Sequence, residues 1–302
     1  MSDRPIRVAL PNKGRLSERA LELFELAGLR PAFVAERALV ASLGERFQAI
    51  FVRTQDIPEY LADGAAEIGV TGADRVAESG RDVREILDLG FGACRLVVAA
   101  REESEIVETK HLPPGTRVAT SFPRIAAQYF EGLGIPIEIT PVSGATEIAP
   151  HLGVADVIVD LTSTGSTLRV HSLREVGTVL ESTARLIANP AALDDPEIGR
   201  EVQNLATALE SVLRAKAKRY LMANVPRDRL EEVRKVIPGL SGPTIVEVLD
   251  GDSWVAAHAV VDADLVYETI SQLKGLGAQG ILVTRIETVS YTHLTLPTSD
   301  LV

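Results

Sequence analysis

Between Gly153 and Asp160 the chain reads Val154-Ala-Asp-Val-Ile-Val159, a nearly all-apolar run of strand length. Such a run, with no polar alternation, predicts a strand over 154–159 that is covered on both faces. That demands an α/β architecture, in which helices flank a parallel sheet. A short helix is expected before it, opening near Glu147 and stopped by Gly153. At the strand's carboxyl end the pattern changes to Asp160-Leu161-Thr162-Ser163-Thr164-Gly165-Ser166-Thr167. Hydroxyls and backbone N–H groups past a parallel strand suit a phosphate. Gly165 lets the backbone approach the anion, and a following helix N-terminus adds positive potential. Asp160 is then an acceptor for sugar hydroxyls beside that phosphate. Taken alone, the hydroxyl run fits a plain surface loop equally well.

The rest of the chain supports a two-lobed reading. Strands are predicted at 6–10, 48–53 and 67–71, and helices follow that are capped by Ser17 and Thr54 and stopped by Gly28 and Gly80. A strand over 96–100 leaves this first lobe. After the breaker Leu112-Pro-Pro-Gly115 a second α/β unit follows, with strands at 116–120 and 137–141 and helices capped by Ser121 and Ser143. The chain then returns through 183–188 and a long helix to about Arg219. From Tyr220 the order changes to β-α-β-β-α-β, a ferredoxin-like arrangement. Its parts are strand 220–225, a helix with Pro226 at its first position, strand 244–249, a turn at 250–253, strand 254–261, a helix from Asp262 to Leu276, and strand 280–286. The expected division is 1–97 for lobe I with a returning segment 182–215, 98–181 for lobe II, and 216–289 for the C-terminal domain. Residues 290–302 carry no periodic pattern and resemble translated sequencing adapter, so they are set aside from the fold as a non-native tail, with a native disordered tail as the alternative.

Composition narrows the partners. The chain has 302 residues with a formal net charge of −11 and no run of basic residues, which disfavours nucleic acid and anionic membranes. Aromatic residues make up 4%, too few for base-stacking platforms. The lone Cys94 sits in a strand-like run and reads as a small buried hydrophobe in a reducing compartment. With no apolar leader at the N-terminus, a cytoplasmic location is expected. His111, His151, His171 and His258 show no partner spacing that would suggest catalysis or metal binding.

Residues 147–168 resemble the motif of the ATP phosphoribosyltransferase family. Its fixed positions are matched by Glu147, Gly153, Ala155, Ile158, Asp160, Leu161, Thr164, Gly165, Thr167 and Leu168. The resemblance extends over about residues 5–289. It implies a bilobal, periplasmic-binding-protein-like catalytic unit in which the chain returns to the first lobe. The implied reaction joins N1 of the adenine of ATP to C1 of phosphoribosyl pyrophosphate and releases pyrophosphate, as the first step of histidine biosynthesis. An oxocarbenium-like transition state of this kind asks for alignment and stabilisation of the leaving group, and no strong nucleophile.

Pro11-Asn-Lys13-Gly14-Arg15 puts two cations and a glycine at the carboxyl end of the first strand, where open α/β sheets bind ligands. It is similar to the family's Lys-Gly-Arg segment. The resemblance implies that Lys13, Arg15 and Asp160 carry the chemistry and that residues 160–167 bind phosphoribosyl pyrophosphate. Lys13, Gly14, Arg15, Arg53, Thr71, Gly72 and Asp74 are implied for ATP. Asp74 fits a helix-capping role as well as a nucleotide contact. Mg²⁺ is expected to be carried mainly by substrate phosphates, with no dedicated protein cage. The resemblance also implies that the C-terminal domain binds histidine as a feedback inhibitor, with Ser241, Thr244 and Ala278 as candidates, and that the enzyme is a homo-oligomer of dimers building a hexamer. The competing reading is a non-catalytic bilobal protein that binds a small molecule or senses an amino acid.

Overall fold

The computed structural model describes residues 4–33, 38–240, 242–248 and 253–289. Ser241, Leu249 with most of the turn expected at 250–253, and the tail 290–302 lie outside the described residues. Residues up to Ala206, apart from Leu23–Gly28, make one compact unit; Leu23–Gly28 and the chain from Thr207 make the other.

The chain begins with β1 (Ile6–Pro11), α1 (Arg15–Leu26), β2 (Pro31–Phe33), β3 (Val40–Leu43), β4 (Phe47–Val52), α2 (Ile57–Ala62), β5 (Ile68–Gly72), α3 (Ala73–Ser79) and β6 (Arg84–Asp88). It crosses into a second sheet through β7 (Cys94–Arg101), followed by β8 (Thr116–Thr120), α4 (Pro123–Gly132), β9 (Ile137–Pro141), β10 (Val157–Thr162), α5 (Ser166–Val170) and β11 (Leu173–Ser182). Then β12 (Ala184–Ala188) rejoins the first sheet, and α6 (Pro190–Asp194) and α7 (Pro196–Lys216) follow. The sheet orders are β2-β3-β4-β1-β5-β12-β6 in lobe I and β11-β7-β10-β8-β9 in lobe II. This double crossover makes a bilobal, periplasmic-binding-protein-like unit.

Both sheets are mixed, where largely parallel ones are expected from the sequence. β7 runs antiparallel to β10 and β11, and β12 antiparallel to β5 and β6. The crossover geometry explains this. β1, β4, β5, β8 and β10 end at the mouth between the lobes, while the two crossing strands start there and must run the opposite way.

In lobe II the two faces of the sheet are both covered. Leu96, Val98, Val157 and Val159 face a core with Phe122 and Phe130, while Val97, Ala99 and Ile158 face another with Leu168 and Leu173. Successive strand residues alternate between faces, so two apolar covers turn alternation into a continuous apolar run. Each fully buried Leu, Ile or Phe contributes about 1.5–3 kcal/mol.

Local expectations shift at several points. The motif strand is 157–162, three residues later than predicted, because its ladder pairs Val157 with Ala100 and Thr162 with Arg95; Asp160 is therefore inside the strand. The helix expected from Ser143 to Gly153 is a 3-10 turn at Thr146–Ile148, entered through Ala145 at φ 50°. α1 starts at Arg15, so Ser17 lies in its first turn and does not cap it. Thr54 opens a 3-10 turn, and Arg53 before it has no capping hydrogen bond. α4 starts at Pro123, with Phe122 and not Ser121 at the cap position. β2, β3, β6 and β11 are additional strands; β2 and β6 carry mostly exposed or half-buried residues and give little hydrophobic pattern to read.

The C-terminal domain comprises β13 (Lys218–Pro226), α8 (Leu230–Val236), β14 (Thr244–Glu247), β15 (Trp254–Asp262), α9 (Val266–Gly275) and β16 (Gln279–Arg285). Its order, β14-β15-β13-β16, is ferredoxin-like. Leu221, Ala223 and Val225 of β13 and Val255 and Ala257 of β15 pack with Val233, Ile237 and Leu273 of the helices. Pro226 ends β13 and does not open a helix. Asp262 makes no capping hydrogen bond and pairs instead with Lys218 at 2.6 Å.

Candidate functional site

The sequence-predicted residues of the first unit gather where the parallel strands end. Lys13, Gly14 and Arg15 are exposed immediately after β1, and Gly14 takes φ +81°, a conformation that costs little without a Cβ. Arg53 is exposed just past β4. At the end of β5, Thr71 is fully buried and donates its hydroxyl hydrogen to the Thr54 carbonyl at 2.9 Å. Asp74, 4% exposed, accepts from the Ser182 hydroxyl at 2.6 Å, and its N–H donates to Ser182 Oγ at 3.0 Å. A Cβ on Gly72 would collide with the Asp74 carboxylate. Thr71 and Asp74 are therefore committed to protein partners that join the β5–α3 turn to its neighbours.

In lobe II, the loop after β10 is held by its own hydroxyls. Thr162 is buried and its Oγ1 accepts from the Gly165 N–H at 2.9 Å. The Thr164 and Ser166 hydroxyls lie 2.7 Å apart, and Arg169 reaches Ser166 Oγ at 3.4 Å. Ser163, Thr164, Ser166 and Thr167 are exposed. Gly165 adopts φ +72°, and a Cβ there would stand 3.0 Å from Arg169 and 3.2 Å from Glu175.

Asp160 is half-buried in β10. Burial pushes its carboxyl above the ordinary range, the Leu161 N–H at 2.8 Å opposes that, and the nearby Glu147 charge adds to it. The Thr146 hydroxyl and the Arg75 guanidinium pull in the other direction.

Two cavities open between the lobes. One of about 440 Å³ is lined by Ser163 of the hydroxyl loop, Cys94 and Arg95 of β7, Glu181–Thr183 at the crossover, and Asp88 and Arg185 of lobe I. The other, about 570 Å³, is lined by Arg53, Asp56, Arg75 and Glu78 of lobe I and by Ser121 and Ser143 of lobe II. Arg53 and the hydroxyl loop thus line different cavities. Sequence reading missed Arg75, Arg95 and Arg185, which sit inside apparently structural segments. Arg95 pairs with Glu175 at 2.9 Å and Arg185 with Glu85 at 3.1 Å and with Asp88. Cys94 is half-buried; burial and the Asp74 charge push its thiol up, away from the nucleophilic thiolate.

In the C-terminal domain, Thr244 is exposed at the start of β14, whereas Ala278 is a core residue beside β16. β14 and β16 are opposite edges of the sheet, so one copy does not bring these two candidates together.

A family model described as ATP phosphoribosyltransferase matches residues 53–211, and a second, the HisG C-terminal domain, matches 215–288. An ATP phosphoribosyltransferase of Gemmatimonas aurantiaca is 60% identical over 287 residues, 93% of this chain and 98% of that relative. One from Methanocaldococcus jannaschii is 46% identical, covering 94% of this chain and 99% of its own length. Among solved structures, an ATP phosphoribosyl transferase (HisG:HisZ) complex from Thermotoga maritima matches with a TM-score of 0.61 and 27% identity, over 69% of this chain and 98% of that one. These matches support the enzyme reading over a non-catalytic binding or sensing protein. The chain belongs to the ATP phosphoribosyltransferase family, whose activity is the first step of histidine biosynthesis.

Proposed function

We propose that this ATP phosphoribosyltransferase divides its substrates between the two lobes. The observation that carries this is the hydroxyl loop of lobe II opening into an interlobe cavity shared with lobe I. Thr164, Ser166 and Thr167 hold the ribose phosphate, with Ser163 at the cavity wall; Thr162 and Gly165 shape the loop, and Leu161 donates to Asp160 to set its carboxylate. Asp160 accepts from the ribose hydroxyls. Lys13, Gly14 and Arg15 take the polyanionic phosphates, and Arg53 clamps those of ATP by bidentate hydrogen bonds. Thr71, Gly72 and Asp74 keep the adjoining turn in place.

N1 of adenine attacks C1 of the ribose as the bond to pyrophosphate breaks, and the bonding pair leaves with pyrophosphate. The two lobes supply the alignment, and their cations stabilise the leaving charge. Among the described residues no three His, Cys, Asp or Glu side chains converge as a metal cage. Mg²⁺ would ride on the substrate phosphates themselves, whose oxygens supply its ligands and whose charge it would screen. No helix among the described residues is long and apolar enough to cross a membrane; a cytoplasmic location fits the biosynthetic role.

The reading extends to histidine as inhibitor and to a homo-oligomer, with a hexamer as the assembly implied by family resemblance. Exposed Val246 on β14 and Leu282 on β16 give the domain two apolar edges. β14 and β16 are opposite edges of the sheet, so a histidine site that uses both Thr244 and Ala278 would need two copies of the domain. The test is to incubate the purified chain with ATP, phosphoribosyl pyrophosphate and Mg²⁺. Phosphoribosyl-ATP and pyrophosphate should accumulate, and histidine should slow them, less so in Thr244→Ala. No turnover would overturn the reading.

A further inference from the structure

The first-turn N–H groups of a helix have no acceptors within the helix, and Phe122 at the cap of α4 offers no side-chain oxygen. Their acceptor comes from the opposite lobe. The Arg124 N–H donates to Glu78 Oε1 and the Ile125 N–H to Glu78 Oε2, both at 3.0 Å. One turn earlier on α3, the Arg75 guanidinium lies 4.2 Å from the centre of the Phe122 ring. Two residues later, Gly80 closes α3 at φ +60°, and the Arg124 guanidinium packs where its Cβ would stand. Three consecutive contacts thus fasten α3 of lobe I to α4 of lobe II beside the 570 Å³ cavity. The central one is a carboxylate on a helix N-terminus, which is both hydrogen-bonded and favourable to the helix dipole.

We infer that Glu78 is a positioning residue for phosphoribosyl transfer: by capping α4 across the cleft it holds the lobes in the closed arrangement that brings the two substrates together. The inference rests on the two-lobe substrate reading above. It has a signature that direct substrate contact lacks. When binding needs a closed form, apparent affinity scales with the fraction of molecules already closed. Loss of the clasp lowers that fraction for both ligands alike, and saturating substrates restore it.

The experiment compares the full chain with Glu78→Ala and Glu78→Gln by steady-state kinetics in both substrates, with melting curves alongside. The expected result for Glu78→Ala is that KM for ATP and for phosphoribosyl pyrophosphate rises by a similar factor, about tenfold, while kcat stays within about twofold. Glu78→Gln, which keeps one acceptor oxygen but no charge, should fall between. A rise confined to one substrate, a fall in kcat with both KM values held, or no change at all would overturn the inference. If Glu78→Ala fails to fold, Glu78→Gln carries the same comparison. A wild-type chain without turnover would instead remove the parent reading.

Discussion

Asp160 is the residue where stability and function pull apart. Its carboxyl is raised by burial, so the folded state holds the proton more tightly than the unfolded chain. Stability attributable to this group therefore falls as pH rises from the ordinary carboxylate range through the raised value, and stays lower above it. Asp160→Asn removes that dependence. It should raise the melting temperature at neutral pH, a gain that vanishes in acid, while lowering kcat/KM for phosphoribosyl pyrophosphate on the order of a hundredfold. Melting curves at two pH values with kinetics at neutral pH check both halves; a variant equally active would show that the carboxylate makes no contact in the transition state. The motif made Asp160 visible, but not its burial. That depended on where the strand ended, which the β7 ladder sets and local sequence does not.

At the scale of elements, hydrophobic runs covered on both faces were legible, as at 157–159 and 96–100, and so were glycine stops such as Gly80. Helix starts were not. Ser17, Thr54, Ser121 and Asp262 all look like caps, yet long-range partners decide the geometry at several of these ends: Glu78 serves α4, and Lys218 takes Asp262. The same holds for Asp74, legible as a capping or nucleotide residue but paired with Ser182 far along the chain. Ser182→Ala would leave a buried carboxylate and a buried N–H short of a partner. It should destabilise the protein by about 1–3 kcal/mol in denaturant titrations. An unchanged midpoint would mean that the pair contributes nothing to joining α3 to the end of β11.

For the molecule as a whole, the order of elements revealed two lobes and a ferredoxin-like domain, and Arg53 was legible in the sequence, while three further cations of the cleft stayed hidden. Arg75, Arg95 and Arg185 come from three distant segments, and only the crossover of β7 and β12 brings them to the interlobe cavities. In the proposed enzyme each lobe holds one substrate, and this division decides how substitutions in the cleft behave. It is tested most directly by one variant per lobe, Thr164→Val and Arg53→Met, measuring kcat/KM for phosphoribosyl pyrophosphate and ATP binding by calorimetry. Thr164→Val should lose about ten- to a hundredfold in kcat/KM for phosphoribosyl pyrophosphate and bind ATP as the wild type does, and Arg53→Met should do the reverse. Weakened ATP binding in Thr164→Val, with the sugar-phosphate substrate untouched, would contradict it.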